Sequence, residues 1–213
     1  MKKPSYISTG YFSTNFFEKT IRSEHYDDIY FSPENGEAES EYVFLKANKL
    51  HERFSKISNF TIGELGFGTG LNFLLTWKLF NNLNNEGYLD FISIEGYPLK
   101  ENILNKIHGN NLKLKNYWDE LQDALPPLWP GVHRLNLQNG RVRLTLIYEE
   151  VLNALARQNF EADAWFLDGF NPNKNSEMWS EEVMKEVFRL TKPSGTFSTF
   201  SSAGFVRRNL ERA

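Results

Sequence analysis

From residue 59 onward the chain alternates two apolar spacings. Short runs of consecutive or alternating apolar residues read as strands: Phe60–Leu65, Leu89–Ile94, Arg141–Tyr148, Ala164–Leu167 and Thr196–Phe200. Between them the spacing lengthens to three and four, as in a helix. Leu71, Leu74, Leu75 and Leu79 fall on one face of Leu71–Phe80, and shorter helices are predicted over 99–107, Val151–Gln158, Glu181–Leu190 and Ala203–Arg212. Residues 112–133 have no clear period, and Pro126-Pro127-Leu128-Trp129-Pro130-Gly131 breaks any helix there. Alternating strands and helices predict an α/β fold with a mostly parallel, doubly wound sheet. Ala164–Leu167 is wholly apolar and is expected near its centre.

Upstream the pattern is weaker. Residues 1–25 are polar with scattered aromatics. Ile29, Tyr30 and Phe31 give a short strand signal, Ser32-Pro33-Glu34-Asn35-Gly36 a turn, and Tyr42–Leu45 a strand or early helix leading on through Leu50 and Phe54. The chain is therefore divided into an N-terminal extension with short strands packed on the core (1–58) and a main domain (59–213).

Ligands of doubly wound sheets bind beyond the carboxyl ends of the strands, where strand order reverses. Three features of this sequence fall at strand C-termini: the turn Glu64-Leu65-Gly66-Phe67-Gly68-Thr69-Gly70-Leu71-Asn72, the acid Glu95, and the acid Asp168. Glycine at 66, 68 and 70 leaves backbone bare for close approach, next to a helix N-terminus. A phosphate-binding loop ends in G-K-[ST], but Leu71-Asn72 follows Gly70 here. A dinucleotide turn wants a third glycine where Leu71 stands. The remaining candidate, S-adenosyl-L-methionine, is bound at E/D-x-G-x-G-x-G, which Glu64, Gly66, Gly68 and Gly70 satisfy without a gap. Glu64 is placed for the ammonium or sulfonium region, directly or through water, Glu95 for the paired hydroxyls of a ribose, and Glu149-Glu150 for the adenine amino group.

The stretch Asp163–Trp179 is a second constellation. An apolar strand delivers one carboxylate, Asp168, to the same sheet edge, and a loop rich in Asn and Pro follows. Methyl transfer is an in-line displacement for which the acceptor must be held close and lose a proton. If the acceptor is an amine, Asp168 can orient it and accept that proton. Phe170 and Trp179 offer rings for stacking.

Totals narrow the field. At 213 residues and net charge −3 the chain lacks the basic balance of a protein gripping nucleic acid over a wide face, although Lys185–Ala213 carries six Lys/Arg against two Glu. It contains no Cys, and its four His are scattered, so zinc thiolate, disulfide and Cys-nucleophile chemistry drop out and no metal site is expected. With no apolar signal or membrane-length stretch, a cytoplasmic protein is expected.

E-L-G-F-G-T-G-L-N-F at 64–73, D-A-W-F-L-D-G-F-N-P at 163–172, K-N-S-E-M-W at 174–179 and S-A-G-F-V-R-R at 202–208 together resemble the MnmC-type tRNA methyltransferases, as do D-D-I-Y-F-S at 27–32 and Y-V-F-L at 42–45. The resemblance implies a Rossmann-like methyltransferase fold. It implies methylation by S-adenosyl-L-methionine of the aminomethyl group on the wobble uridine of certain tRNAs. The partners implied are a tRNA anticodon loop and, fused in many members, an FAD-dependent oxidase. By the same resemblance Glu64, Gly66, Phe67, Gly68, Gly70, Asn72, Glu95 and Glu150 bind the cofactor. Asp168 lies beside the acceptor amine, and Tyr30, Phe170, Pro172, Lys174, Asn175, Arg207 and Arg208 are on the substrate side. The sequence departs from the family at Glu149-Glu150, usually Gly-Asp, and at Ser176, usually Pro. The family also continues past the last helix with two more strands and a basic segment. With the chain ending at Ala213, the fifth strand is expected to be a sheet edge. Alternatives are an inactive or partner-dependent cofactor-binding module, and a methyltransferase acting on a small-molecule amine.

Overall fold

The computed structural model describes residues 12–15, 20–30, 35–56, 58–83 and 86–213. Three short antiparallel strands open it, β1 (Phe12–Asn15), β2 (Thr20–Ser23) and β3 (Asp28–Ile29). The sequence gives no clear period over the first two. Phe31 and the turn Ser32-Pro33-Glu34 lie outside the described residues. Tyr42–Leu45, which suits strand or helix by spacing, is helical: α1 (Gly36–Ser40) runs into a π-helical stretch (Glu41–Lys46) and then α2 (Leu50–Arg53).

The main sheet follows. In chain order its elements are β4 (Asn59–Leu65), α3 (Leu71–Asn82), β5 (Tyr88–Ile94), α4 (Glu101–His108), α5 (Lys115–Ala124), β6 (Gly131–Leu137), β7 (Val142–Tyr148), α6 (Val151–Ala156), β8 (Ala162–Leu167), α7 (Glu181–Arg189), β9 (Thr191–Thr199) and α8 (Gly204–Arg212). The spatial order is β6-β7-β5-β4-β8-β9, parallel throughout except for β6. The chain steps outward from β4 through β5 to the edge strand β6, turns back into β7 between β6 and β5, and then crosses to lay β8 on the other side of β4. Strand order therefore reverses at β4, between β5 and β8.

Three elements differ from the sequence expectation. α5 and the antiparallel β6 fall in the stretch without a period. In α5 only Trp118 and Leu121 are buried, too few to draw a helical stripe, and the proline run begins just after the helix ends. β6 buries only Leu135 and Leu137, at its end, while Val132 points outward. β9 starts at Thr191 rather than Thr196, passing through Pro193-Ser194-Gly195 as a bulge: Ala162 pairs with Thr191 but Ala164 with Thr196. Pro is tolerated at such a bulge because no ladder N–H is needed there.

Each sheet face has its own core. On one, Phe60, Phe91, Leu144 and Phe166 meet Phe44, Phe73, Trp77 and Trp118; on the other, Ile94, Ile147, Trp165 and Leu167 meet Leu155, Trp179, Val183 and Val206. α3 is buried nearly all round because α5 and the N-terminal helices both cover it, so the single apolar face read from its leucines understates its burial. β9 is the outer strand among the described residues, with Phe197 53% exposed. No helix among the described residues is long and apolar enough to cross a membrane.

The N-terminal helices are pinned to β9 by polar contacts. Asn48 is fully buried; its Nδ2 donates to Phe44 O (3.0 Å) and Ser198 Oγ (2.8 Å), and its Oδ1 accepts from Thr196 Oγ1 (2.6 Å). Arg53 adds bonds to Thr196 Oγ1 (2.9 Å) and Asp163 O (2.8 Å). Unmaking such a bond leaves buried partners unsatisfied at about 1–3 kcal/mol. Asn48→Ala is thus expected to lower the midpoint of thermal unfolding by roughly 3–10 °C; an unchanged midpoint in a calorimetric scan would show that this anchor contributes nothing.

Candidate active site

The turn after β4 holds its shape through three left-handed glycines, with φ of +88° at Gly66, +52° at Gly68 and +77° at Gly70. Gly66 is where a side chain is excluded most strongly: a Cβ there would lie 2.1 Å from the Asp168 carbonyl oxygen. Its N–H donates to Ile94 O (2.8 Å), while Asp168 N–H donates to Leu65 O (3.1 Å), so the ends of β5, β4 and β8 are stitched side by side. Gly68 N–H donates to Glu95 Oε2 (2.8 Å). The Phe67 ring lies over Gly70. From below, His108 Nε2 lies 2.9 Å from Thr69 O; burial lowers the pKa of this histidine, which suits a neutral ring donating to the carbonyl.

Beyond these strand ends lies a cavity of about 750 Å³, large enough for a nucleoside-sized ligand. Its walls carry six acids, Asp28, Glu39, Glu95, Glu150, Asp168 and Glu177, and among the described lining residues there is no Lys, Arg or His. Such a site repels phosphate and favours a cation.

Two carboxylates are held closely. Glu95 spends one lone pair of each oxygen on backbone, Gly68 N–H and Tyr97 N–H (2.8 Å each). Burial raises its pKa, these two bonds lower it, and Glu150 raises it again. Asp168 Oδ2 accepts from Asn72 Nδ2 (2.7 Å). Burial pushes the Asp168 carboxyl from its ordinary value up to about 7, the Asn72 bond pulls against this, and the charge of Glu95 adds to it. A carboxyl near 7 exchanges a proton at neutral pH.

Glu64 corrects the sequence expectation. It is 1% exposed and lies beneath the cavity rather than on its wall. Oε2 accepts from Ser93 Oγ (2.6 Å) and Oε1 from Asn72 Nδ2 (3.1 Å). An inward-facing position on β4 sends this side chain under the turn, where it cannot meet a ligand directly. Burial holds its pKa well above the usual carboxylate range. Trp179 is likewise not free to stack: it is 1% exposed, with Nε1 bonded to Phe170 O (3.1 Å).

The other expected residues divide by place. Gly66, Phe67, Gly68, Asn72, Glu95, Glu150, Asp168, Tyr30, Phe170, Pro172 and Asn175 line the cavity; Glu149 instead turns away to pair with Arg157 (3.0 Å). Lys174 is in the loop between Asp168 and α7, but its ammonium faces the main chain and carboxylate of Asp27. Arg207 and Arg208 stand on α8 outside the cavity, Arg207 paired with Glu211 (2.9 Å).

On this wall Tyr26 and Tyr97, and His25 packed against Tyr97, carry no signal in the sequence. Tyr26 and Tyr97 meet edge to face at 5.7 Å, Tyr26 and Phe170 at 4.8 Å, Tyr30 and Phe170 at 5.1 Å, and His25 stacks on Tyr97 at 4.6 Å. The β2–β3 hairpin thus reaches across to the loops after β5 and β8. Asp28 fixes it there by accepting from Asn171 N–H (2.8 Å). These aromatics follow no periodicity and converge only through tertiary folding.

Comparison with known proteins gives the class first. Residues 112–213 match the family model described as S-adenosyl-L-methionine-dependent methyltransferase. With the parallel sheet and the glycine turn at its switch point, the chain has the Rossmann-like fold of S-adenosyl-L-methionine-dependent methyltransferases. A narrower likeness follows. The tRNA 5-methylaminomethyl-2-thiouridine biosynthesis bifunctional protein MnmC of Marinomonas sp. (strain MWYL1) is 42% identical over 192 residues, which cover 89% of this chain and 28% of that protein. The protein of the same name from Pseudomonas fluorescens (strain Pf0-1) is 44% identical over 196 residues, 90% of this chain and 30% of that one. The resemblance to the MnmC-type methyltransferases therefore holds over about nine-tenths of the chain, which spans about 30% of the length of these relatives. The crystal structure of MNMC2 from Aquifex aeolicus has the same fold, with a TM-score of 0.78 over 96% of this chain and 64% of that one, at 23% identity. Among the described residues no group of three or more His, Cys, Asp or Glu is arranged to hold a metal ion.

Carboxyls raised by burial bind protons more tightly in the folded protein than in the unfolded chain. Their contribution to stability is complete below the unfolded carboxylate range, about pH 4, and is lost as pH rises through the folded value, about 7 for Asp168. Ligand-free protein is therefore expected to be less stable at pH 8 than at pH 5. Asp168→Asn should unfold at a higher temperature than the parent at pH 8, with the gap closing at pH 5. Equal midpoints at both pH values, by circular dichroism melts, would contradict this.

Proposed function

We propose that this chain transfers a methyl group from S-adenosyl-L-methionine to the primary amine of an aminomethyl substituent on the wobble uridine of tRNA. The observation that carries the reading is the cavity wall: six acids and no base, beside a bare glycine turn, around a carboxyl poised near neutrality. The methyl donor, when bound, supplies an electrophilic methyl on a cationic sulfur, and an aminomethyl acceptor enters as an ammonium. Both are cations. The MnmC-type relatives support tRNA as the carrier of that amine.

The residues fit the donor. The side-chain-free backbone at Gly68, beside the Tyr30 ring, and the remaining lone pairs of Glu95 would hold a ribose, Phe67 an adjoining apolar surface, and Glu150 an exocyclic amino group. Asp168 does the acid–base work. Its Oδ2 is taken by Asn72, which leaves Oδ1 to accept the proton that an ammonium must lose before its nitrogen can attack. Once Asp168 has released that proton to solvent, its carboxylate faces the secondary ammonium that forms and stabilises it. Tyr30, Phe170 and Pro172 would receive a base turned out of a single-stranded loop, the form in which RNA bases are usually read. Asn175 lies on the same side. Lys174, held by Asp27, would order this loop, while Arg207 and Arg208 would meet tRNA phosphates outside the cavity.

Residues 59–213 would form the catalytic unit and 1–58 an extension that closes its pocket. An FAD-dependent oxidase, fused or separate, would deliver the amine in the cytoplasm. A second reading, methylation of a free small amine, is favoured by the net charge of −3.

Labelled S-adenosyl-L-methionine and tRNA carrying 5-aminomethyl-2-thiouridine should give labelled 5-methylaminomethyl-2-thiouridine, with a KM that rises steeply with salt. Activity on the free nucleoside that ignores salt would favour the small-amine reading, and no transfer to either acceptor would overturn both. Because Asp168 must be ionised to take the proton, kcat/KM is expected to fall below pH of about 7. Asp168→Asn should lose a factor of about 10²–10⁴ above that pH, with the gap narrowing below it. Glu95→Gln would remove charge-assisted bonds worth about 1.5–3 kcal/mol and so weaken cofactor binding about tenfold or more by calorimetry.

A further inference from the structure

The sequence resemblance assigns Asn72 to the cofactor, yet its amide is already committed. The same Nδ2 donates to Asp168 Oδ2 at 2.7 Å and to Glu64 Oε1 at 3.1 Å, so its two hydrogens go to two carboxyl groups. Glu64 is in turn fixed by Ser93 Oγ at 2.6 Å. Ser93 is fully buried, Glu64 is 1% exposed and Asn72 4%. The other end of the amide, Asn72 Oδ1, is buried with no hydrogen-bond partner among the described residues. An amide leaves its acceptor unsatisfied only when its donors are held firmly elsewhere. Turning it over would set Oδ1 against two carboxyl oxygens, so the acids on either side dictate its orientation.

We infer that Asn72, braced by Glu64 and Ser93, is a positioning residue for Asp168: it fixes the carboxylate's direction and favours its ionised form, leaving Oδ1 free for the acceptor amine. The inference rests on the reading of Asp168 as the proton acceptor. The chain Ser93–Glu64–Asn72–Asp168 crosses from β5 through β4 and the start of α3 to the end of β8. It thereby ties the acidic group of the acceptor side to the rigid centre of the sheet. A hydrogen bond to the charged form favours that form, and Asn72 is the neutral donor that opposes the surrounding acids. Those acids are Glu64 below, Glu95 at the end of β5 and Glu150 at the start of α6. Across the cavity stand Asp28 and Tyr30 from the hairpin, Glu39 from α1, and Glu177.

The test follows the Asp168 carboxyl carbon by NMR in the ligand-free protein labelled at aspartate, assigned by its absence in Asp168→Asn, together with the pH profile of methyl transfer. In Asn72→Ala the titration midpoint of Asp168 should move up by about one pH unit, so that kcat falls about tenfold on the acid side and returns to within about threefold of the parent at high pH. Calorimetry should give a cofactor Kd within about threefold of the parent. Asn72→Ser, which keeps one donor, should fall between; it is read in the same way if the alanine variant does not fold. Glu64→Gln, which keeps the shape of the brace, should bind cofactor like the parent. An unchanged Asp168 titration with a uniform loss of kcat would reduce Asn72 to packing. An unchanged titration with a tenfold weaker Kd would restore it to the cofactor. If the parent transfers no methyl group to tRNA, the proposed function fails, while the NMR titration still decides whether Asn72 governs Asp168.

Discussion

The close approach of Gly66 to the Asp168 carbonyl is the constraint on which the site depends. Two parallel strands, β4 and β8, come far apart in sequence but end side by side, and only a residue without a side chain allows their ends to meet. The contact brings the glycine turn and the buried Asp168 carboxyl onto one edge. The bonds from Gly66 N–H to Ile94 O and from Asp168 N–H to Leu65 O then keep all three strand ends in register. A β-carbon at 66 would separate the two halves of the site before it touched any ligand.

What is assembled there works against the folded protein's own stability. Burying Asp168, Glu95 and Glu64 within reach of one another makes each harder to ionise. With no lysine or arginine on the described walls, the compensating positive charge must come from what binds. A cationic donor and a cationic acceptor are both drawn to such a place. Under the proposed function, the same field that would recruit an amine as an ammonium also raises the Asp168 carboxyl that would deprotonate it, so attraction and proton transfer would be coupled through one set of charges.

The parallel part of the sheet was legible from apolar spacing because its strands are buried on both faces, as in Ala162–Leu167. The turn was legible because glycine at alternate positions leaves a direct mark in sequence. α5 and β6 were not, since each buries only two large apolar side chains and their period is too short to register. Glu64 was legible as a residue but not in its surroundings. An E-x-G-x-G-x-G pattern gives its place at the end of a strand but not which face of the sheet edge its side chain takes, and only the partners Ser93 and Asn72 settle that. Of the aromatic wall, Phe170 was legible as a ring beside Asp168, but Tyr26 and Tyr97 were hidden for another reason: each ring comes from a different loop, and no local pattern links them.

That wall changes where the working unit begins. Alternation of strand and helix starts at residue 59, and a boundary drawn there would look natural. Yet Tyr26, Asp28 and Tyr30 lie well before it and face the cavity, and the side chain of Asp28 holds the main chain at Asn171. A chain trimmed back to its regular strands would lose one side of its pocket and, with Phe44, Leu50 and Phe54, part of the core over one sheet face. The same N-terminal segment therefore serves both the packing of the sheet and the shape of the cavity.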